Sequence, residues 1–197
     1  MNDAKGGKTH AEMIRTFVCI EIPGSIKERI EKLQRDLRQI DAQISWVKPA
    51  NIHLTLKFLG DVPQAKIPAI QAAVTQVAKV SNPFQITVGS TGCFPSPHKP
   101  SVLWIGLSQS DELQHMHKAI EDSLARQGFA RESKRFTPHL TIARIRNPRN
   151  AGQVADALLA SGFAGESFQA HEIVVMRSQL SPQGSIYTPL AVIPLND

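Results

Sequence analysis

The sequence predicts an α+β fold with two pseudo-symmetric lobes of mostly antiparallel sheet, outer helices and a central cleft. Strand-like and helix-like segments alternate along the chain. A unit of strand, helix, His-x-Thr strand, helix and strand occurs twice, and the opening strands, helix caps and His-x-Thr motifs of the two copies keep a constant spacing. We therefore expect a single bilobal domain over residues 13–197, with a first repeat at about 15–90 and a second at about 101–194.

Composition indicates a soluble protein. The chain has 197 residues, 42% of them hydrophobic, which is enough to bury a core. No apolar run approaches the roughly 20 residues of a membrane helix, and the polar start lacks the apolar stretch of a secretory signal. Residues 1–12 show no periodicity, which predicts a disordered extension. We expect a cytoplasmic monomer with no membrane partner, in which Cys19 and Cys93 are buried free thiols.

The first repeat opens with a predicted strand at 15–22. Ser25 and Glu28 match a capping box, which predicts that a helix begins there. A short strand at 44–47 and a strand at 51–60 follow. The apolar stripe that predicts the helix consists of Ile26, Ile30, Leu33, Leu37 and Ile40.

The repeat closes with a second helix, which extends to about residue 80, and a strand at 84–88. Pro68 is expected in the first turn of this helix, where its missing N–H costs little. Residues 89–100 are rich in Gly, Ser and Pro and predict a connecting loop between the repeats. The side chains predicted to face inward from the helix are Ile67, Ile70, Val74 and Val77.

The second repeat opens with a predicted strand at 102–107. Ser110 or Asp111 is expected to cap the next helix, and Gly128 is expected to end it. Its predicted inner face consists of Leu113, Met116, Ile120 and Leu124. After the second His-x-Thr strand, the remaining predicted elements are a helix near 151–161, a strand near 168–176 and a last strand at 185–194.

The most informative pattern is Ile52-His53-Leu54-Thr55-Leu56, which is repeated as Pro138-His139-Leu140-Thr141-Ile142. In a strand, alternate side chains share a face, so each segment offers an imidazole beside a hydroxyl. The two histidines are 86 residues apart, and the same shift carries residues 17–22 onto 103–108, the other opening strand. We infer an ancient duplication; a fortuitous likeness of two strand-helix-strand units is the alternative.

Two histidines in register predict a site for acid–base chemistry, because imidazole exchanges protons near neutral pH. A single half-buried histidine is more often structural, so the prediction depends on the pair. Metal binding is disfavoured, because no Asp, Glu or Cys accompanies either histidine at ligand spacing. A serine hydrolase is unsupported, because the sequence has no Gly-x-Ser-x-Gly. Surface roles are expected for the other histidines, namely His10, His98, His115, His117 and His171.

The net charge of +5 favours an anionic partner. Basic residues bracket the second motif, which predicts a positive rim beside it. A solvated surface with scattered charge is the alternative. The rim consists of Arg126, Arg131, Lys134, Arg135, Arg144, Arg146 and Arg149.

These motifs resemble a known family. The segment from His53 to Gly60, HLTLKFLG, and the segment from Thr137 to Arg144, TPHLTIAR, are similar to the signatures of the two-histidine phosphoesterases. The nearest resemblance is to the RNA 2′,3′-cyclic phosphodiesterases, also called the 2′-5′ RNA ligase family. It extends from about residue 15 to residue 190.

The resemblance implies a bilobal fold without metal or cofactor and, as substrate, RNA ends that carry a 2′,3′-cyclic phosphate. It also implies that water opens the cyclic ester to a 2′-phosphate, with 2′-5′ ligation as a reversible side activity. Phe58 and Arg144 match the family's base- and phosphate-contacting positions. Strand parity puts both on the face opposite the histidines unless the strands bulge. Tyr187 is expected to line the same pocket, and a position in the core is the alternative.

The resulting hypothesis is general acid–base catalysis by His53 and His139. Thr55, Thr141 and Arg144 are expected to bind the phosphate. Near-symmetry leaves open which histidine is the acid. Two alternatives are 2′-5′ ligation as the main role and an RNA- or nucleotide-binding module without turnover.

Overall fold

The computed structural model describes residues 12–108, 110–163, 165–182 and 184–196, which contain nine strands and four α-helices. The expected extension at 1–12 lies outside the described residues except for Glu12. The strands are β1 (Met13–Glu21), β2 (Ile44–Trp46), β3 (His53–Pro63), β4 (Phe84–Phe94), β5 (Val102–Leu107), β6 (His139–Ile145), β7 (Glu166–Ala170), β8 (Glu172–Ser181) and β9 (Gly184–Pro194). The helices are α1 (Gly24–Leu37), α2 (Ile67–Ala78), α3 (Asp111–Arg126) and α4 (Ala151–Leu159). None of these helices is long and apolar enough to cross a membrane.

The strands form two antiparallel sheets, so the predicted α+β class with mostly antiparallel strands is confirmed. The first sheet has the order β3-β1-β8-β9 and the second has the order β2-β6-β5-β4-β7. Helices α2 and α3 contact strands of the first sheet, and α4 contacts β4 of the second. Each sheet combines strands from both sequence repeats, because β4 pairs with β5 and β8 pairs with β1.

Helix α1 follows its predicted stripe but not its predicted start. Ile26, Ile30 and Leu37 are buried. The helix begins at Gly24, directly after Pro23, and no side chain caps it. The predicted capping box is therefore wrong. Ser25 already lies inside the first turn, and its hydroxyl donates to Glu166 Oε1 at 3.2 Å instead.

The predicted limits of α3 are confirmed. The Ser110 hydroxyl accepts the Leu113 N–H at 3.3 Å and satisfies one of the unpaired donors of the first turn. Gly128 follows the helix with φ of 85°, a left-handed conformation that glycine adopts without strain. The predicted inward residues of α2 and α3 are all buried.

Two predicted boundaries are wrong because strand pairing overrides local composition. Strand β4 continues into the expected 89–100 loop as far as Phe94, paired with β5. Gly92 allows this pairing, since a Cβ there would lie 2.2 Å from the Trp104 ring. The single strand expected near 168–176 is divided at His171 into β7 and β8, which belong to different sheets.

One large apolar core fills the space between the sheets and helices. A smaller apolar cluster lies apart from it and consists of Phe17, Cys19, Val174 and Met176, with Tyr187 packed against it. Cys19 and Cys93 are buried and free, as predicted. Burial raises the pKa of both thiols, so neither carries a thiolate near neutral pH.

Candidate active site

A cleft of about 980 Å³ contains both His-x-Thr motifs. His53 and Thr55 reach it from β3, one of the two edge strands of the first sheet. His139 and Thr141 reach it from β6, which lies beside the edge strand of the second sheet. Strands β3 and β6 approach each other. The structure thus brings together four residues that are widely separated in the sequence.

The main chain holds the two imidazoles in the same way. His53 Nδ1 lies 2.8 Å from the Asn51 carbonyl oxygen, and His139 Nδ1 lies 2.7 Å from the Thr137 carbonyl oxygen. A carbonyl oxygen only accepts, so each Nδ1 carries the hydrogen. In each ring Nε2 is therefore the nitrogen available to accept or donate a proton in the cleft.

A β-bulge in the first motif strand brings Phe58 to the histidine face. Strand β3 pairs with β1 at Thr55–Cys19 and next at Lys57–Val18, so one β3 residue is extra. The extra residue reverses the alternation of side chains. Lys57 then points into the interior and is 5% exposed, whereas Phe58 is 52% exposed and lines the cleft.

The second motif strand has a bulge at the equivalent place. Strand β6 pairs with β5 at Thr141–Trp104 and next at Ala143–Leu103. Ala143 is buried, and Arg144 lines the cleft with His139 and Thr141. Both motif strands therefore have the bulge that Phe58 and Arg144 need in order to share the cleft face with the histidines.

Aromatic rings enclose His53. Phe17 stacks on the imidazole with 4.7 Å between ring centroids, and Tyr187 meets it edge-on at 5.3 Å. Tyr187 also lines the cleft. Burial lowers the pKa of His53 below its ordinary value, although the Asn51 carbonyl and the charge of Glu21 oppose this shift.

A different aromatic pair borders His139. Phe94 meets the imidazole edge-on at 5.1 Å, and Trp104 lies 6.4 Å away. The two aromatic rings are 5.2 Å apart. Both histidines therefore rest against aromatic side chains that fix the orientation of the ring.

The described lining of the cleft contains four cationic side chains and no Asp or Glu. Arg144 and Arg146 belong to the predicted rim. Arg15 and Lys48 were not predicted, and the Arg15 guanidinium lies 4.6 Å from the centroid of the Phe58 ring. The other predicted rim residues do not line the cleft, which corrects the expected extent of the rim; they are Arg126, Arg131, Lys134, Arg135 and Arg149.

Sequence reasoning also missed the aromatic neighbours Phe17, Phe94 and Trp104. Strand parity carried a usable signal for β1, because Arg15 and Phe17 share a face of a strand that pairs with β3. Phe94 carried no such signal, since it lies in a segment whose composition predicts a loop.

Outside the cleft lining lie His98, His115, His117 and His171, whereas the expectation for His10 falls outside the described residues. The expected surface role is wrong for His117, which is half-buried and stacks on Phe136 with 3.8 Å between centroids. His115 is exposed. The described residues contain no group of three or more His, Cys, Asp or Glu side chains placed to hold a metal ion.

Comparison with known proteins gives one family. The family model described as the 2'-5' RNA ligase superfamily matches residues 22–181. Curated relatives named RNA 2',3'-cyclic phosphodiesterase occur in Methanothermobacter thermautotrophicus (31% identity, 92% of this chain and 99% of the relative) and Archaeoglobus fulgidus (34% identity, 91% and 99%).

Solved structures share the fold. A Thermus thermophilus protein superimposes with a TM-score of 0.78 at 23% identity, over 92% of this chain and 98% of that one. The crystal structure of E. coli LigT complexed with 3'-AMP gives a TM-score of 0.75 at 25% identity, over 94% and 100%.

Proposed function

Because this chain belongs to the 2'-5' RNA ligase superfamily, we propose that it is an RNA 2′,3′-cyclic phosphodiesterase that leaves a 2′-phosphate. Relatives with this name match nearly their whole length at about 30% identity. The observation that carries the mechanism is the pair of imidazoles, each with Nδ1 bound to a carbonyl and Nε2 left for the cleft.

The reaction is an in-line displacement at phosphorus. One neutral histidine accepts a proton at Nε2 from the attacking water as the new O–P bond forms. The other histidine, protonated, donates its Nε2 hydrogen to the ribose O3′ as the P–O3′ bond breaks. Protons balance, and the product is the 2′-phosphate with a free 3′-hydroxyl. The two histidines end in exchanged protonation states and are reset by solvent.

Three groups stabilise the negative charge on the phosphate. The hydroxyls of Thr55 and Thr141 donate to the non-bridging oxygens, and Arg144 contributes a positive charge. Phe58 offers an exposed ring on which the terminal base stacks. Tyr187 packs against His53 and helps to orient it. The crystal structure of E. coli LigT complexed with 3'-AMP supports a nucleotide as the kind of ligand proposed for this chain.

Metal-independent hydrolysis is part of the proposal. A cyclic phosphodiester carries a single negative charge, which two hydroxyls, an imidazolium and a guanidinium stabilise without a divalent cation. The described cleft lining offers no carboxylate, which is the usual ligand of Mg²⁺.

The test is incubation of a defined oligoribonucleotide that ends in a 2′,3′-cyclic phosphate, with EDTA present, and assignment of the product as 2′- or 3′-phosphate. His53→Ala and His139→Ala should each lower kcat about 10² to 10⁴-fold, the usual contribution of one acid–base group. His115→Ala is the matched control, since this histidine is exposed on α3.

Retention of most of the rate by either variant contradicts the paired-histidine mechanism. Binding of the oligonucleotide without turnover by the wild-type protein would favour a binding module. Joined RNA in excess of hydrolysed ends would assign ligation as the main reaction. Loss of activity in EDTA that zinc restores would contradict metal independence.

A further inference from the structure

The cleft carries more positive charge than one cyclic phosphate requires. Arg144 serves that phosphate in the proposed function, and Arg15 lies against the Phe58 ring. This leaves Lys48 and Arg146, which line the cleft and are both exposed. Neither forms an ion pair with a carboxylate in the described part of the chain. Unpaired cations in a cleft whose described lining has no carboxylate indicate further negative charge on the ligand.

These cations follow one edge of the second sheet. Arg144 pairs with Ser45 of β2, and Arg146 donates its backbone N–H to the Gln43 carbonyl. Lys48 lies five residues after Gln43, in extended backbone. At about 3.3 Å per residue, the line from Lys48 past Arg144 to Arg146 spans roughly 16 Å.

This arrangement suits a chain of phosphates better than a single phosphate group. Proteins that bind single-stranded RNA combine a positively charged groove along the backbone with aromatic side chains on which bases stack. The cleft contains both, since Phe58 is exposed and lines the same cleft as the three cations. Its volume of about 980 Å³ lies at the upper end of the range of roughly 300–1,000 Å³ for clefts that hold a drug-sized ligand.

We propose that the edge formed by Lys48, Arg144 and Arg146 binds the phosphodiesters of single-stranded RNA directly 5′ of the cyclic end. The inference rests on the proposed function, because it takes the His-x-Thr pairs as the site of the cyclic phosphate. It makes oligonucleotide ends the preferred substrates over nucleoside 2′,3′-cyclic phosphates. The strand enters along β2 and β6, with its last base on Phe58.

The experiment compares kcat/KM for a nucleoside 2′,3′-cyclic phosphate with that for dinucleotides and trinucleotides that end in the same group, over a range of KCl concentrations. The trinucleotide should exceed the mononucleotide about 10-fold or more at low salt. Each added phosphate that a cation contacts should steepen the dependence of log(kcat/KM) on log[salt] by about 0.7.

Lys48→Ala and Arg146→Ala should each lower the trinucleotide-to-mononucleotide ratio several-fold and reduce the trinucleotide salt slope by about 0.7. Arg149→Ala is the matched control, because this arginine follows in the same segment but does not line the cleft. The control should keep the wild-type ratio and slope.

Equal kcat/KM for the three substrates, or an unchanged trinucleotide-to-mononucleotide ratio in both variants, would overturn the proposed RNA-binding edge. Hydrolysis of the mononucleotide would in that case still support the proposed function. If no substrate turned over, the proposed function would fail instead. Fluorescence anisotropy with a labelled trinucleotide 2′-phosphate would then still test the RNA-binding edge, since Lys48→Ala and Arg146→Ala should weaken binding of this trinucleotide. Equally tight binding of ATP, lost in both variants, would assign these cations to free nucleotides and overturn RNA as the occupant.

Discussion

The two halves of the site, built on the motif strands β3 and β6, present matching side chains to the cleft but different side chains to the interior. Each motif strand presents a histidine, a threonine and, after a bulge, a third side chain to the cleft. Behind the bulge, β3 places Lys57 in the interior, whereas β6 places Ala143 there. The 86-residue shift that relates the histidines also relates these two positions.

A buried ion pair supports the first half. Lys57 Nζ donates to Glu121 Oε1 at 2.7 Å, to Glu121 Oε2 at 2.8 Å and to the Ala130 carbonyl at 2.8 Å, which uses all three ammonium donors. Glu121 Oε2 also accepts the Glu132 N–H at 3.2 Å. This network connects β3 to α3 and to the segment that leads to the second motif.

A neutral amide supports the second half. Gln34 on α1 is 1% exposed, and its Nε2 donates to the Val47 carbonyl at 2.8 Å and the Ile142 carbonyl at 2.9 Å. In each half, the helix that follows the opening strand of one repeat therefore holds the motif strand of the other repeat. The difference teaches that the proposed chemistry needs matched residues only on the cleft face, because charged and neutral supports fix the same geometry.

Lys57→Met tests the charged support and should have the largest effect on stability. The substitution leaves the buried Glu121 carboxylate without its counter-ion and the Ala130 carbonyl without a donor. Removal of one partner of a buried ion pair typically costs about 3–5 kcal/mol. Chemical denaturation should show this loss in the free energy of unfolding.

Two further variants make the Lys57 test specific. Lys57→Met combined with Glu121→Leu removes both charges and should recover most of the lost stability. Lys32→Met changes an exposed lysine and should stay within about 0.5 kcal/mol of the wild type. A single Lys57→Met variant as stable as Lys32→Met would contradict the view that the pair supports this half of the site.

Gln34→Leu tests the neutral support and should have a smaller effect. It removes two hydrogen bonds of about 0.5–1.5 kcal/mol each and leaves no buried charge, so we expect a loss of about 2 kcal/mol. Gln39→Leu, at an exposed glutamine just beyond α1, is the control. If Gln34→Leu destabilised the protein as much as Lys57→Met, the contrast between the two supports would be lost.

Local periodicity predicted the elements, but not how they pair. The stripes of α2 and α3 repeat about every 3.6 residues, so their buried faces follow from the sequence. Strand β4 illustrates the limit: Gly92 and its neighbours resemble a loop, and only pairing with β5 makes them a strand. Sheet partners are chosen by contacts distant in sequence, so the exchange of strands between the repeats had no local signal.

The site was predictable where residue type carried the information. Two His-x-Thr motifs in register predicted the pairing of His53 with His139 in one cleft. The bulges were not predictable, because one extra residue in a strand leaves no compositional mark and is defined only by the partner strand. Lys48 was not predictable either, since its place in the cleft depends on which strands are neighbours.

The enclosure of His53 gives the smallest predicted effect, a dependence of stability on pH. Burial lowers the pKa of His53 in the folded protein, whereas in the unfolded chain the imidazole has its ordinary pKa of about 6.5. As pH falls, the unfolded chain therefore binds a proton at a higher pH than the folded protein does, which favours unfolding. Stability should be steady above about pH 7 and should fall as pH decreases from there towards the folded-state pKa. His53→Gln should flatten this fall, and His117→Gln should do so separately, because burial also lowers the pKa of His117.

Tyr187→Ser should open His53 to water and move its pKa upward in an NMR titration. An imidazole of His53 that titrates at or above pH 6.5 in the wild type would show that Phe17 and Tyr187 do not shield it.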